Sequence, residues 1–488
     1  MATPIAAFPK PENLKATART ADNRLGLGLL IALVVGSIIG SGIFGLPQNM
    51  ATGAGAGAIM LGWLISGAGM LMLALVYQRL SVRAPELDNG VYAYAQALGG
   101  DYAGFNSAWG YWVSAWIGNV GYLVAAFGAL GYFFPAFGEG NTAAAIAGAS
   151  VILWLVHFMV LRGIQGAAVL NAVVTAAKLA PLILFIVLVT VAFQIQTFQL
   201  NFWGDIKLGS VLDQVKSTML VTVWVFIGVE GASVYSARAA RREDVGRATV
   251  AGFLVCLFLL MAVSLLSLGI YSQPELAGLK NPSMAGVLEK AVGTWGAIVV
   301  YLGLIVSVGG GFLAWTLLAA ESLFSPARGG VMPPWLGKQN SNAVPANAMW
   351  LTSAMVQVFL VLTLVSKASY LALISLSTAM ILVPYLLSAL YAIILGRSKP
   401  NMAATSHATD TPIAVLATGY CLWLLYAAGL KYLLLSALLY APGAALYLLA
   451  KKQLAQQPFA GREWAMLVAV LLLAVLAAYL LASGGLTL

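Results

Sequence analysis

Charge is scarce in this sequence. Only 8% of its 488 residues are Asp, Glu, Lys or Arg, while 61% are hydrophobic. Ordinary soluble domains carry about 25% charged residues, so a soluble globular chain is excluded on composition. Cysteine is almost absent. Cys256 and Cys421 both lie in apolar runs, and their placement excludes a disulfide framework or a thiolate metal site. Histidine is as rare. His157 sits in an apolar run and His407 in a loop, with no partner spacing. A lone histidine in such a run is more often a packed, hydrogen-bonded residue than a ligand. No Walker loop is present, which argues against ATP-driven work, and no HExxH metal motif appears. No catalytic constellation, metal site or cofactor is therefore expected.

What is abundant is the apolar run of about 20 residues, long enough to cross a bilayer as a helix. Barrel strands would instead alternate over about 10 residues. The expected fold class is all-α and polytopic, with the lipid bilayer as its solvent. Thirteen spans are expected, at about 25–46, 56–78, 103–133, 143–161, 170–193, 214–237, 247–271, 294–322, 347–365, 369–395, 412–429, 431–450 and 464–483. The first run is too long, and lacks the small-residue cleavage site, to be a signal peptide.

The formal net charge of +9 has a topological origin. The N-terminal tail carries Lys10, Lys15, Arg19 and Arg24. Loops on the same side carry Arg79, Arg83, Arg162, Arg238, Arg241, Arg242, Arg247, Arg328, Lys338, Arg397, Lys399, Lys451, Lys452 and Arg462. The opposite loops hold only Lys207, Lys280, Lys290, Lys367 and Lys431. This bias places the N-terminus in the cytoplasm. No basic patch interleaves with base-stacking aromatics, so no nucleic-acid partner is expected. The short tails are expected to leave no room for a signalling domain, which argues against a membrane receptor.

Two spans are interrupted. The first contains "GSIIGSGIFGLP", Gly36 to Pro47, and the sixth contains "WVFIGVEGAS", Trp224 to Ser233. Glycine costs a helix interior about 1 kcal/mol relative to alanine, so the weakening needs a reason. Gly36 and Gly40 alone also suit close helix packing through small residues. The matching break five spans later favours a ligand site. An odd number of spans per unit inserts the second unit upside down, and paired interruptions point to a midplane site in an inverted-repeat transporter. Unwinding at Gly40–Gly42 frees N–H groups for an anion such as a carboxylate. It also frees carbonyls for a cation such as an α-ammonium. The expected organisation is a tail (1–24), a five-span unit (25–193), an external connector (194–213), an inverted five-span unit (214–396), a cytoplasmic loop (397–411) and accessory spans (412–488).

Ionisable residues inside spans are functional candidates by default. Glu230 lies beside the sixth-span break. Lys178, in "TAAKLAPLILF", is about eight residues into the fifth span, too deep for easy snorkelling. Trp224, also at a break, is placed to hold a guanidinium or ammonium by cation–π attraction. Glu321, near the end of the eighth span, reads equally well as a solvated boundary residue. "APELDNGVYAYAQALGG", Ala84 to Gly100, reads as a short surface helix leading into the third span.

With "WTLLAAESLF", the two interrupted motifs resemble the amino acid–polyamine–organocation superfamily, and within it the basic amino acid/polyamine antiporters. "FNSAWGYWVSAWIGN", "GYFFPAFGEGNT" and "SARAARREDVGRAT" resemble more closely the arginine/ornithine antiporters of the arginine deiminase pathway. The resemblance implies a LeuT-type inverted repeat of ten core spans in a bacterial cytoplasmic (inner) membrane. Here three spans follow the core, where many relatives have two. It assigns Ser41 and Gly42 to the substrate carboxylate, and the carbonyls of Ile38, Trp224 and Ile227 to the α-ammonium. Trp224 and Trp315 cover the substrate, Asn119 lies near its side chain, and Tyr111 pairs with Glu230 in gating. Lys178 matches a lysine that replaces a bound sodium ion. Ser37 stands where arginine/agmatine relatives have asparagine. The implied function is exchange of cationic amino acids, arginine in for ornithine out. Proton-coupled import and exchange of an amino acid for its decarboxylated amine remain open alternatives, as does the oligomeric state.

Overall fold

The computed structural model describes residues 26–87, 91–163, 167–230, 242–366, 369–397, 409–457, 459 and 461–486. Several sequence expectations lie outside the described residues. They are the basic tail 1–24, the end of the sixth span from Gly231 to residue 237, Arg238, Arg241, Lys367, and most of the loop 397–411 with Lys399 and His407.

Helices α1 (Leu27–Ile38) and α2 (Gly42–Ala51) form the first span. Then come α3 (Ala56–Arg83), α4 (Val91–Gly99), α5 (Asp101–Phe133), α6 (Ala143–Leu161), α7 (Ala167–Ala192), α8 (Ile195–Gln199) and α9 (Val211–Trp224). The second half contains α10 (Arg242–Ser267), α11 (Gln273–Ala277), α12 (Ser283–Val292), α13 (Thr294–Arg328), α14 (Ala346–Ser366), α15 (Tyr370–Arg397), α16 (Asp410–Gln453) and α17 (Gly461–Ala482). Among the described residues there is no strand. Nine helices are long and apolar enough to cross a membrane, and α1 with α2 makes a tenth crossing bent by 50°. This is a multi-pass helical membrane protein. Lipid offers no partner to a bare backbone group, so helices that satisfy their own N–H and C=O groups are the stable solution.

The eleventh and twelfth spans, expected to meet between 429 and 431, are joined there without a loop. Residues 410–453 are helical throughout except at Gly429, where φ is 74° and ψ 165°. A straight helix of 44 residues would be about 66 Å long, twice the hydrocarbon thickness. The turn is made by one glycine. The helix expected in Ala84–Gly100 is α4. Tyr92, Ala93, Tyr94 and Ala95 are its buried face, and Tyr94 stacks on Tyr391 of α15.

Helix α5 is the axis of the molecule. It packs against α13 and α15, and most of its side chains are buried. Its start has no cap of its own, because Gly100 occupies the N-cap position. The C-terminal spans supply one. A Glu463 carboxylate oxygen of α17 accepts from the Tyr102 N–H at 2.8 Å, and Lys451 of α16 pairs with Asp101. Asp410, at the start of α16, pairs with Arg79 and, at 3.0 Å, with Arg83 of α3. Helices α16 and α17 are thereby tied to α3 and α5.

Candidate functional site

The first span is broken at three residues. Ile39 is extended (φ −73°, ψ 103°), and helix resumes at Gly42. The ammonium of Lys178 in α7 donates to the carbonyls of Gly36 and Ile39, each at 2.5 Å. Lys178 is 5% exposed. Carbonyls released by the break are thus held by a buried cation, which offsets the cost of leaving them unpaired in an apolar interior.

The sixth span breaks in step. Helix α9 ends at Trp224, and the chain turns through Val225–Glu230. Gly228 has φ +107°, a conformation that L side chains rarely adopt. A Cβ there would also lie 2.8 Å from the carbonyl oxygen of Ser37, so the two broken segments touch backbone to backbone. Gly42 plays the same part from the other side. A Cβ there would come within 2.8 Å of the Trp224 ring and of Val225.

Between the breaks lies a small cavity. Its wall is made by Ile38, Ile39, Gly40, Gly42 and Ile43 from the first span and by Trp224, Val225 and Ile227 from the sixth. Ser114, Ala115, Gly118 and Tyr122 come from α5, Leu260 from α10 and Trp315 from α13. Of the residues singled out in the sequence, Ile38, Gly42, Trp224, Ile227 and Trp315 are brought together on this wall. Ser41 and Asn119 are not on it. Ser41 Oγ shares a hydrogen bond with the hydroxyl of Tyr370 at 3.2 Å. Asn119 Nδ2 donates to Thr316 Oγ1 at 3.2 Å, behind the wall. Ser37 also turns away, its hydroxyl donating to the Val34 carbonyl at 2.8 Å.

Glu230 is 6% exposed and accepts from the hydroxyls of Tyr111 (2.8 Å) and Tyr385 (2.9 Å) and from the Gly228 N–H (3.1 Å). Tyr111 also lies against Trp315, with ring centroids 6.4 Å apart. Helix α15 contributes at two levels. Tyr370 meets Ser41 and Tyr385 meets Glu230, and the step from one to the other spans about 22 Å of helix. Neither tyrosine was singled out in the sequence. The α5 residues Ser114, Gly118 and Tyr122 were also missed, although their i, i+4, i+8 spacing puts them on one helix face.

The other candidates are placed elsewhere. His157 is buried in α6, with Nδ1 2.8 Å from Ser353 Oγ and its ring 4.3 Å from that of Trp350. Glu321 is exposed on α13. Among the described residues, no cluster of His, Cys, Asp and Glu is arranged to hold a metal ion.

A multi-pass helical membrane protein with a small cavity between two broken spans has the architecture of a small-molecule carrier. The chain belongs to the amino acid permease family, whose model matches residues 25–443. It is 54% identical over 482 residues to the arginine/ornithine antiporter of Pseudomonas aeruginosa, covering 96% of this chain and 100% of that protein. It is 41% identical over 471 residues to the arginine/agmatine antiporter of Chlamydia caviae (94% and 97% of the two chains). With the L-lysine transport protein of Corynebacterium glutamicum it shares 40% identity over 491 residues, 97% of each chain.

Proposed function

We propose that this protein is an obligatory exchanger of cationic amino acids in a bacterial cytoplasmic membrane, taking up arginine and releasing ornithine by alternating access. It binds and translocates its substrates and makes no covalent bond with them. The observation that carries the reading is the 54% identity to an arginine/ornithine antiporter along that protein's whole length. The cavity suits the proposal. In it, the Gly42 N–H on the wall, with that of Ser41 beside it, receives the substrate carboxylate at the start of α2. The carbonyls of Ile38, Trp224 and Ile227 receive the α-ammonium, and the rings of Trp224 and Trp315 cover the substrate. Asn119, one residue from Gly118 on the wall, supports the side-chain pocket from behind.

The two tyrosines of α15 mark where access would be closed. With the N-terminus in the cytoplasm, the Ser41–Tyr370 contact closes the outer side and the Tyr111–Glu230–Tyr385 cluster the inner side. Lys178 holds the first-span break in place of a bound sodium ion, which makes transport sodium-independent. Residues 25–193 and 214–396 are then the two inverted units, with 194–213 as connector and 412–488 as accessory spans. Exchange of two monocations is electrically silent and needs no ion gradient.

A competition experiment on purified protein tests the substrate assignment. Arginine and ornithine should displace labelled arginine, whereas agmatine, lacking the carboxylate, should displace it poorly. Equal affinity for arginine and agmatine would remove the carboxylate grip. It would instead favour exchange of an amino acid for its amine, the second reading prompted by the arginine/agmatine relative.

A further inference from the structure

The segment "GYFFPAFGEGNT" takes no part in the central cavity, yet it shapes a second one. Beyond the Ser41–Tyr370 contact, on the side away from the start of α1, lies a second small cavity. Its wall includes Ser41, Phe44 and Tyr370 toward the first cavity, and Glu139, Asn281 and Leu304 farther out. Along the chain the two cavities alternate: Gly40 and Gly42 line the inner one and Ser41 the outer one. Ser41 and Tyr370, which share a hydrogen bond, both line the outer one.

The outer cavity presents acceptors. Glu139 brings a carboxylate. Asn281 uses its Nδ2 to donate to Gln48 Oε1 and Asn49 Oδ1, both at 3.0 Å, while its buried Oδ1 has no donor among the described residues. Glu139 is held in place by backbone. Gly140, at φ +87°, lies so close to α5 that a Cβ would fall 2.0 Å from the Val124 carbonyl oxygen. The Glu139 carbonyl itself lies against Gly128 of α5, 3.1 Å from where a Cβ there would be. The backbone that carries Glu139 is thus held against α5 beside the cavity.

The cation now facing Glu139 is Lys280, at 3.3 Å, on the segment between α11 and α12. Both side chains are well exposed, 81% for Lys280 and 60% for Glu139. An ion pair this exposed contributes little to stability, so it exchanges partners readily. A guanidinium or ammonium entering the cavity would find the same carboxylate, with the Asn281 oxygen as a second acceptor. A guanidinium offers several N–H donors in a fixed fork and suits two acceptors better than the lysine head does.

We propose that this outer cavity is a recruitment site for the cationic end of the substrate. Glu139 is its anchor, and Lys280 occupies the anchor when no substrate is present. The substrate's charged side chain displaces Lys280 before the Ser41–Tyr370 layer opens to the central cavity. The proposal rests on the reading of the protein as a carrier of cationic amino acids.

The two partners of the ion pair make opposite predictions, which separates recruitment from a mere staple between loops. Arginine–arginine exchange is measured in right-side-out and inside-out vesicles, at matched membrane abundance. Glu139→Gln should raise the KM for arginine about three- to fivefold on the face opposite the N-terminus, the size expected of one exposed charge. It should leave the KM on the other face unchanged. The gap should shrink as ionic strength rises, as it does for a charge at the rim of a site. Glu139→Asp, which keeps the charge, should lie closer to wild type. Lys280→Ala frees the carboxylate and should not raise the KM. An unchanged KM in Glu139→Gln, or an equal rise in both variants, would overturn the recruitment role while leaving exchange itself intact. Failure of the wild type to exchange arginine at all would remove both readings.

Discussion

Replacing Lys178 by methionine probes the first-span break most sharply. Methionine keeps an unbranched, flexible stem of similar length and removes the ammonium. The wild-type side chain makes two hydrogen bonds at 2.5 Å to the carbonyls of Gly36 and Ile39. A hydrogen bond to a charged group contributes about 1.5–3 kcal/mol, and a buried acceptor left bare costs about 1–3 kcal/mol. Desolvating the lysine offsets part of this. Taking about 3 kcal/mol as the net loss from the organised break, the binding-competent state falls by roughly 150-fold. The assay is arginine counterflow in proteoliposomes, with protein abundance and monodispersity checked in parallel. Lys178→Met should insert normally and lose nearly all exchange. Wild-type exchange should be unaffected when sodium is replaced by choline at fixed pH. A variant that exchanges at the wild-type rate would refute the reasoning, as would a sodium requirement in the wild type.

Gly42→Val should abolish detectable arginine binding, because a side chain there runs into Trp224 and Val225 at 2.8 Å; isothermal titration checks it. Trp224→Leu and Trp315→Leu should each weaken arginine binding by about 30-fold, corresponding to about 2 kcal/mol of desolvated cation–π attraction, and Trp→Phe should recover part of it. Wild-type affinity in both leucine variants would return the two rings to a packing role. Glu463→Ala removes the cap that α17 lends to α5 and should lower the melting temperature with a cost of about 1–2 kcal/mol, while arginine affinity stays within a factor of two or so. A large affinity loss with unchanged melting would mean that α17 acts on the site rather than on stability.

The parts of the site that were legible in the sequence are those that lipid makes expensive. Glycines that weaken the first and sixth spans, and a lysine and a glutamate inside spans, contradict the needs of a membrane helix, so they stand out without any structure. All four features meet around the breaks. The tyrosines Tyr370 and Tyr385 carry no such contradiction. An aromatic residue in an apolar run reads as ordinary packing until Ser41 and Glu230 are seen opposite it. Asn119 shows the limit in another way. One residue is about 100° of helix rotation, so Gly118 faces the cavity while Asn119 turns to Thr316. The boundary between the eleventh and twelfth spans was legible to the residue, and the structure adds that a single glycine, Gly429, makes the turn.

Obligatory exchange is the central claim, and counterflow tests it most directly. Purified protein is reconstituted into proteoliposomes that are either empty or loaded with ornithine, and labelled arginine is supplied outside. Arginine should accumulate only in the loaded vesicles, with one ornithine leaving for each arginine entering, and a pH gradient across empty vesicles should drive nothing. Accumulation in empty vesicles under an inward proton gradient would contradict exchange and establish proton-coupled import instead.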